Sequence, residues 1–256
     1  MLTLLEAVLL GVVQGITEWL PVSSSGHLVI LQEIFGLEAD LAFDVMLHLA
    51  TLIVILAVFR MEIAAILNAL IKRDWKSEEV RFLLFIIAGS IPTGLIGYVF
   101  HDILASFFTN LSVVGVSMLV TGSIIFASRY RKSNYDLDTK RSVLIGITQG
   151  LAIIPGISRS GITIGTGILS GLERETAVRY SFLLSIPVVI GAALSEAGSI
   201  AWDHSIYSML AGMIAAAVVG YLSLRLLIRL VIQKKFYLFS IYCWVAGIVV
   251  LVFSLV

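Results

Sequence analysis

LGVVQG at residues 10–15 leads into PVSSSG at residues 21–26, and the chain then repeats itself: IGITQG at residues 145–150 leads into PGISRSG at residues 155–161. At a constant offset of 135 residues, Gly11, Gln14, Gly15, Ser23, Ser25 and Gly26 fall on Gly146, Gln149, Gly150, Ser158, Ser160 and Gly161. The register holds without a gap through Gly36, Leu37 and Glu38 onto Gly171, Leu172 and Glu173. An apolar composition produces chance matches among Leu, Ile and Val, not among polar and helix-breaking residues. Two structural halves follow, each carrying one copy of a hydroxyl-rich, glycine-broken element. The expected organisation is one membrane domain over residues 1–256, with the first repeat in 1–128 and the second in 142–256.

Composition agrees with a membrane setting. Of 256 residues, 59% are hydrophobic and 13% charged, and the mean hydropathy is +1.04. Such a chain is an all-α integral membrane protein rather than a soluble core. Long apolar spans run over residues 41–59, 82–100, 113–127, 180–197, 207–228 and 236–256. The first residues carry Glu6 and no basic segment, so they do not read as a cleaved signal peptide. A single cysteine, Cys243, excludes an intramolecular disulfide. Zero net charge without a basic block argues against nucleic acid. Self-association in the membrane is compatible with all of this.

The cations orient the spans. Of 17 Lys and Arg, five lie in residues 60–81, five in 129–141, four in 225–235, two are Arg174 and Arg179, and the last is Arg159. Residues 100–112 and 201–208 contain none. The positive-inside rule makes the clusters cytoplasmic and the cation-free loops external. The span at 41–59 then runs inward, so residues 1–40 begin and end outside. The span at 180–197 runs outward, so residues 142–179 begin and end inside. Both segments are too apolar for surface loops, and both are broken by proline, serine and glycine. Each therefore reads as a re-entrant hairpin of two half-helices, and the odd number of crossings between them inverts the second copy. The predicted architecture is an inverted-topology repeat with six transmembrane helices and four half-helices. Broken backbone at membrane depth survives only where protein buries it or a cavity wets it.

The breaks carry Ser23, Ser24, Ser25, Gly26 and His27 from one copy and Ser158, Arg159, Ser160 and Thr163 from the other. Gln14 and Glu18 sit four apart on the arm before the first break, and Gln149 matches Gln14 in the second arm. A charge at the bilayer centre costs about 2.5–3.5 kcal/mol on insertion scales, so Glu18 and Arg159 are functional candidates. Glycine and serine at a break expose N–H groups where the next half-helix begins, which is an oxyanion site. Hydroxyls add donors, and the Arg159 fork suits phosphate oxygens. Glu18 and His27 add an acid/base pair that pure anion binding does not need. The nucleophile is Ser24 activated by His27, His27 itself, or water. Inverted repeats with broken helices also describe secondary transporters, so a carrier or flippase for an anion or lipid phosphate is the competing class. His48, His101 and His204 look ordinary. Asp44 and Arg179 occupy matching repeat positions with opposite charge and read as a structural ion pair.

QGITE at residues 14–18 and LPVSSSGH at residues 20–27 resemble the acidic and serine–histidine elements of the undecaprenyl-diphosphatases, the BacA/UppP family. PGISRSGIT at residues 155–163 matches that family's PGxSRSxxT motif at every fixed position. Gln14 stands where several relatives have Glu. The resemblance implies hydrolysis of undecaprenyl diphosphate to the monophosphate and phosphate, which recycles the lipid carrier of cell-wall polymers. It also implies a link to bacitracin resistance, since that drug sequesters the same lipid. It gives catalytic roles to Glu18, Ser24, His27 and Arg159, and phosphate contacts to Ser23, Ser158, Ser160 and Thr163. Gln14, Ser25, Gly26 and Gln149 join the expected phosphate site. A divalent cation, Mg2+ or Ca2+, is expected to aid activity, held by Glu18 and Gln14 through the substrate diphosphate, with no organic cofactor. The expected location is the plasma membrane, with membrane lipids around the protein and the site opening to the extracytoplasmic side.

Overall fold

The computed structural model describes residues 2–35, 41–132, 135–196 and 205–255. Gly36, Leu37 and Glu38 of the repeat register, and His204, lie outside the described residues. Among those residues every regular element is helical.

The first segment folds as α1 (Leu4–Trp19) and α2 (Ser24–Phe35). Thr3 and Glu6 form a capping box at the start of α1, satisfying two orphan N–H groups. Pro21 cannot continue the helix, and the chain turns before restarting at Ser24. Next come α3 (Leu41–Val58), α4 (Arg60–Ile71), α5 (Glu78–Val99), the short α6 (His101–Ser106) and α7 (Leu111–Ala127). The second copy repeats the pattern: α8 (Thr139–Leu151), a break containing Pro155 and Gly156, then α9 (Arg159–Leu169). The chain ends with α10 (Arg174–Glu196), α11 (Ile206–Ile232) and α12 (Leu238–Phe253).

Four helices are long and apolar enough to cross a membrane: Glu78–Val99, Leu111–Tyr130, Arg174–Ser195 and Ile206–Ile232. A fifth span follows if α3 and α4, bent by 74° at Phe59, are taken together. The remaining apolar segment, α12, has 16 residues, about 24 Å at 1.5 Å per residue, against a hydrocarbon core of about 30 Å. The cation distribution puts residues 60–81 on the cytoplasmic side, and the first part of that stretch is the helix α4. Met61 and Ile71 are exposed on it while Ile66 and Ala69 are buried, so an apolar helix runs off the axis of α3.

Pairing between the halves is crosswise. α1 packs on α11, α8 packs on α5, α7 on α12, and α3 on α10. The contacts are backbone to backbone: a Cβ on Gly11 would meet Gly212, and a Cβ on Gly146 would meet Gly89. Thr93 Oγ1 also reaches the Gly146 carbonyl at 2.8 Å. Small residues allow such close approach between helices surrounded by lipid. The expected Asp44–Arg179 pair is not made. Arg179 lies over the Phe82 ring instead, 4.6 Å from its centroid.

Because both crossings rest on glycine, side chains there overpack the interface, at a cost of about 1–3 kcal/mol or more. Gly11→Val and Gly146→Val are each expected to lower the unfolding temperature of the detergent-solubilised protein, whereas Gly94→Ala, where an added Cβ meets nothing within 4 Å, is expected to leave it unchanged.

Candidate active site

The two breaks begin their following helices in the same way. Ser158 caps α9, its Oγ accepting from the Gly161 N–H at 3.2 Å. At the matching place Ser23 Oγ accepts from the Gly26 N–H, also at 3.2 Å. Each capping hydroxyl has a second serine 3.3 Å away, Ser160 in one copy and Ser25 in the other. The copies then join, because Ser23 Oγ accepts a further hydrogen bond from the Gly156 N–H at 3.1 Å. Gly26 sits so close to Gly156 that a Cβ would come within 3.1 Å of its Cα.

The junction carries local strain. Ser23 has φ of 71° and Gly156 has φ of 91°. Glycine adopts that region freely, but an L-residue with a Cβ loses about 1–2 kcal/mol there. Ser23 is 3% exposed, and five hydrogen bonds hold it. Three involve its hydroxyl, to Gly26, Gly156 and Ser25 as above, and two end on its carbonyl. The backbone N–H of His27 donates to that carbonyl at 3.2 Å, and the His27 ring Nδ1–H at 2.7 Å.

Glu18 and Arg159 lock the junction. Their side chains form a direct ion pair between the first arm and the first residue of α9. Glu18 is 4% exposed at its side chain and Arg159 17%. The Arg159 guanidinium also lies 5.5 Å from the Trp19 ring centroid. Ser24 Oγ donates to Glu18 Oε2 at 2.7 Å, and Gln14 Nε2 donates to the same oxygen at 3.2 Å. His48 Nε2 stands 3.5 Å from it, an ion pair whenever the imidazole is protonated.

A cavity of about 370 Å³ opens over this cluster. Glu18, Ser23, Ser24, Ser25, Gln149, Ser158 and Arg159 line its polar end, so seven of the residues expected from sequence converge there. Five do not line it. Ser160 belongs to the cap of α9, Gly26 packs on Gly156, and Gln14 lies behind Glu18. Thr163 Oγ1 reaches the Arg159 carbonyl at 2.6 Å and Ser181 Oγ at 2.5 Å, a tie between α9 and α10. His27 turns away from the cavity, its Nε2 2.6 Å from the Tyr242 hydroxyl on α12. The cavity also takes in His48, read from sequence as ordinary, and Asp44, read as half of a structural ion pair. Their signal was present: an acid and an imidazole four apart in an apolar span.

Gln149 completes the wall. Its Nε2 donates to Thr93 Oγ1 at 3.3 Å. The Thr93 proton is committed to carbonyls, so the amide nitrogen must face it. That leaves Oε1, itself buried, without a protein partner.

The donor set does not fit a resident divalent cation. No group of three His, Cys, Asp or Glu that could hold one occurs among the described residues. Both Glu18 oxygens already accept from protein donors. A cation entering with a diphosphate would belong to the substrate.

What the cluster offers chemically is specific. A hydroxyl is held on a carboxylate, a guanidinium is pinned beside it, and two capped helix N-termini meet at the same point. Helix N-termini and guanidinium groups favour phosphate. The other walls are apolar, with Val45, Phe108, Val188, Val189, Ala192 and Ala193.

The family model described as bacitracin resistance protein BacA matches residues 7–249. A curated protein of Methanosphaera stadtmanae named undecaprenyl-diphosphatase is 42% identical over the whole of both chains. One of Carboxydothermus hydrogenoformans with the same name is 42% identical over 96% of each chain. A third, of Korarchaeum cryptofilum and also so named, is 35% identical over 96% of this chain and 97% of its own.

Breaking a buried ion pair strands one charge, at about 3–5 kcal/mol, whereas removing both strands none. Glu18→Gln and Arg159→Ala are each expected to lower the unfolding temperature, and the double variant to recover part of the loss.

Proposed function

Since this chain belongs to the BacA family, we infer that it is an undecaprenyl-diphosphatase, a membrane hydrolase converting the lipid diphosphate to the monophosphate and inorganic phosphate. The observation that carries this reading to the residues is Ser24 hydrogen-bonded to Glu18 beside Arg159, at the polar end of an otherwise apolar cavity. A transporter needs no hydroxyl held on a carboxylate.

The chemistry follows from that arrangement. Phosphoryl transfer is mostly alignment and charge neutralisation. Arg159 uses its remaining donors on the non-bridging oxygens of the terminal phosphate, while pairing with Glu18 keeps its head in place. The Ser24 oxygen bonds to the terminal phosphorus as its proton moves to Glu18. The bond from phosphorus to the bridging oxygen breaks, and the lipid monophosphate leaves with that electron pair and takes up the proton. Water then attacks the phosphoserine, giving a proton to Glu18, which returns it to the departing Ser24 oxygen. Phosphate is released and the site is restored. Ser23, Ser25 and Ser158 supply further phosphate contacts, and the apolar wall receives the first isoprene units.

The location and topology belong to the same proposal. The protein sits in the plasma membrane as six spans and two re-entrant hairpins, the second inverted relative to the first. Its site opens to the extracytoplasmic side and recycles the carrier for cell-wall polymers. Support comes from where the cavity residues lie. Asp44 and Val45 are at the start of α3, Ala192 and Ala193 near the end of α10, and Phe108 in the stretch without Lys or Arg. All are at the end of their elements that the cation distribution assigns outside. Crosswise packing of the glycine pairs is what an exchange of arms between two inverted halves produces.

Purified protein given a prenyl diphosphate in detergent, with no membrane gradient, is expected to release phosphate. Ser24→Ala should cut that release on the order of 10³-fold and Arg159→Lys on the order of 10²-fold. Undiminished release by Ser24→Ala would remove it as nucleophile, and no release by the parent protein would remove the hydrolase reading.

A further inference from the structure

The motif places His27 among the catalytic residues, yet it does not line the cavity. Its hydrogen bonds say what it holds. Nδ1 lies 2.7 Å from the Ser23 carbonyl. A carbonyl only accepts, so Nδ1 carries a proton, and in the neutral imidazole Nε2 accepts from the Tyr242 hydroxyl at 2.6 Å. The two rings are nearly parallel, 15° apart. No carboxylate is paired with His27 among the described residues. The imidazole therefore has both nitrogens committed, one to a main-chain carbonyl and one to a phenol.

That carbonyl belongs to the residue immediately before Ser24, the one held at φ of 71°. The direction of the Ser24 side chain toward Glu18 depends on that left-handed turn. Helix α12 braces the same turn a second time, because the Cys243 thiol donates to the Pro21 carbonyl at 3.1 Å. Neighbouring residues of one helix thus act on two carbonyls of one break, Cys243 directly and Tyr242 through His27.

We propose that His27 is a positioning residue that locks the strained Ser23 turn, and that Tyr242 is its partner, a further positioning residue for Ser24. This rests on the reading of Ser24 as the attacking group. The imidazole carries no proton to or from the phosphate. Tyr242 fixes its tautomer and ring plane, and the ring fixes the carbonyl.

Substitutions that imitate one nitrogen each separate this role from acid/base catalysis. Asn places an N–H where Nδ1–H stands, and Gln reaches instead to the place of Nε2. With purified protein and a prenyl diphosphate, His27→Ala and Tyr242→Phe are expected to lower kcat about 10- to 100-fold, with KM within about twofold. His27→Asn should recover most of the His27→Ala loss, whereas His27→Gln should not. The kcat–pH profiles of His27→Asn and Tyr242→Phe should run parallel to that of the parent protein. The double variant His27→Ala/Tyr242→Phe should be no slower than His27→Ala alone. Unfolding temperatures measured alongside should stay close to the parent value for Tyr242→Phe and His27→Asn. A His27→Asn variant as slow as His27→Ala and missing one limb of the pH profile would overturn the proposal, as would multiplicative losses in the double variant. Trapping of a phosphoserine at Ser24 is scored separately. Its absence would remove the nucleophile assignment, while the comparison of Asn with Gln would still decide what His27 does.

Discussion

A carboxylate and a guanidinium meet where two interrupted helices touch, and the remaining architecture serves that meeting. Glu18 and Arg159 belong to different halves of the chain, and neither charge is tolerable alone inside an apolar bundle. Their pairing forces the two breaks together, and it does so beside broken backbone whose N–H groups also need partners. Ser23 answers that need by accepting from both Gly26 and Gly156. The two requirements are met at one point. A ligand with several negative oxygens is the natural third party there.

Close approach of the arms is a matter of steric bulk. Gly11 against Gly212 and Gly146 against Gly89 let α1 and α8 sink into the opposite half. With side chains at those crossings the arms would ride outward, and Glu18 and Arg159 would part. Packing without a hydrophobic driving force between helices depends on this kind of contact. The geometry of the Glu18–Arg159 junction is therefore tied to residues that do not line the cavity.

The cavity reflects a lipid's division into head and tail. Its polar end gathers serines, Glu18 and Arg159, while Phe108, Val188 and Ala192 face it from elements of both halves. A headgroup can be stripped of water only if its charge is met at once by the guanidinium and the helix N-termini. On the proposed reading, the apolar wall would keep the prenyl chain in a hydrocarbon environment while its diphosphate is hydrolysed.

Much of this was legible from residue order. The two broken arms follow from an ungapped register of polar residues, because local backbone chemistry dictates where a helix must stop and restart, and Glu18 and Arg159 stand out because a charge at membrane depth is costly. The register also anticipates identical caps at Ser23 and Ser158. Other features depend on contacts between distant segments, which no local pattern encodes. His48 meets Glu18 from a separate helix, Tyr242 meets His27 across 215 residues, and Arg179 finds Phe82 rather than Asp44. Likewise α4 leaves the axis of α3 at Phe59 and packs against α5. Residue order alone determined which groups needed partners in an apolar medium. Only the tertiary structure decided which partner each obtained, because distance and side-chain direction are properties of the packed bundle.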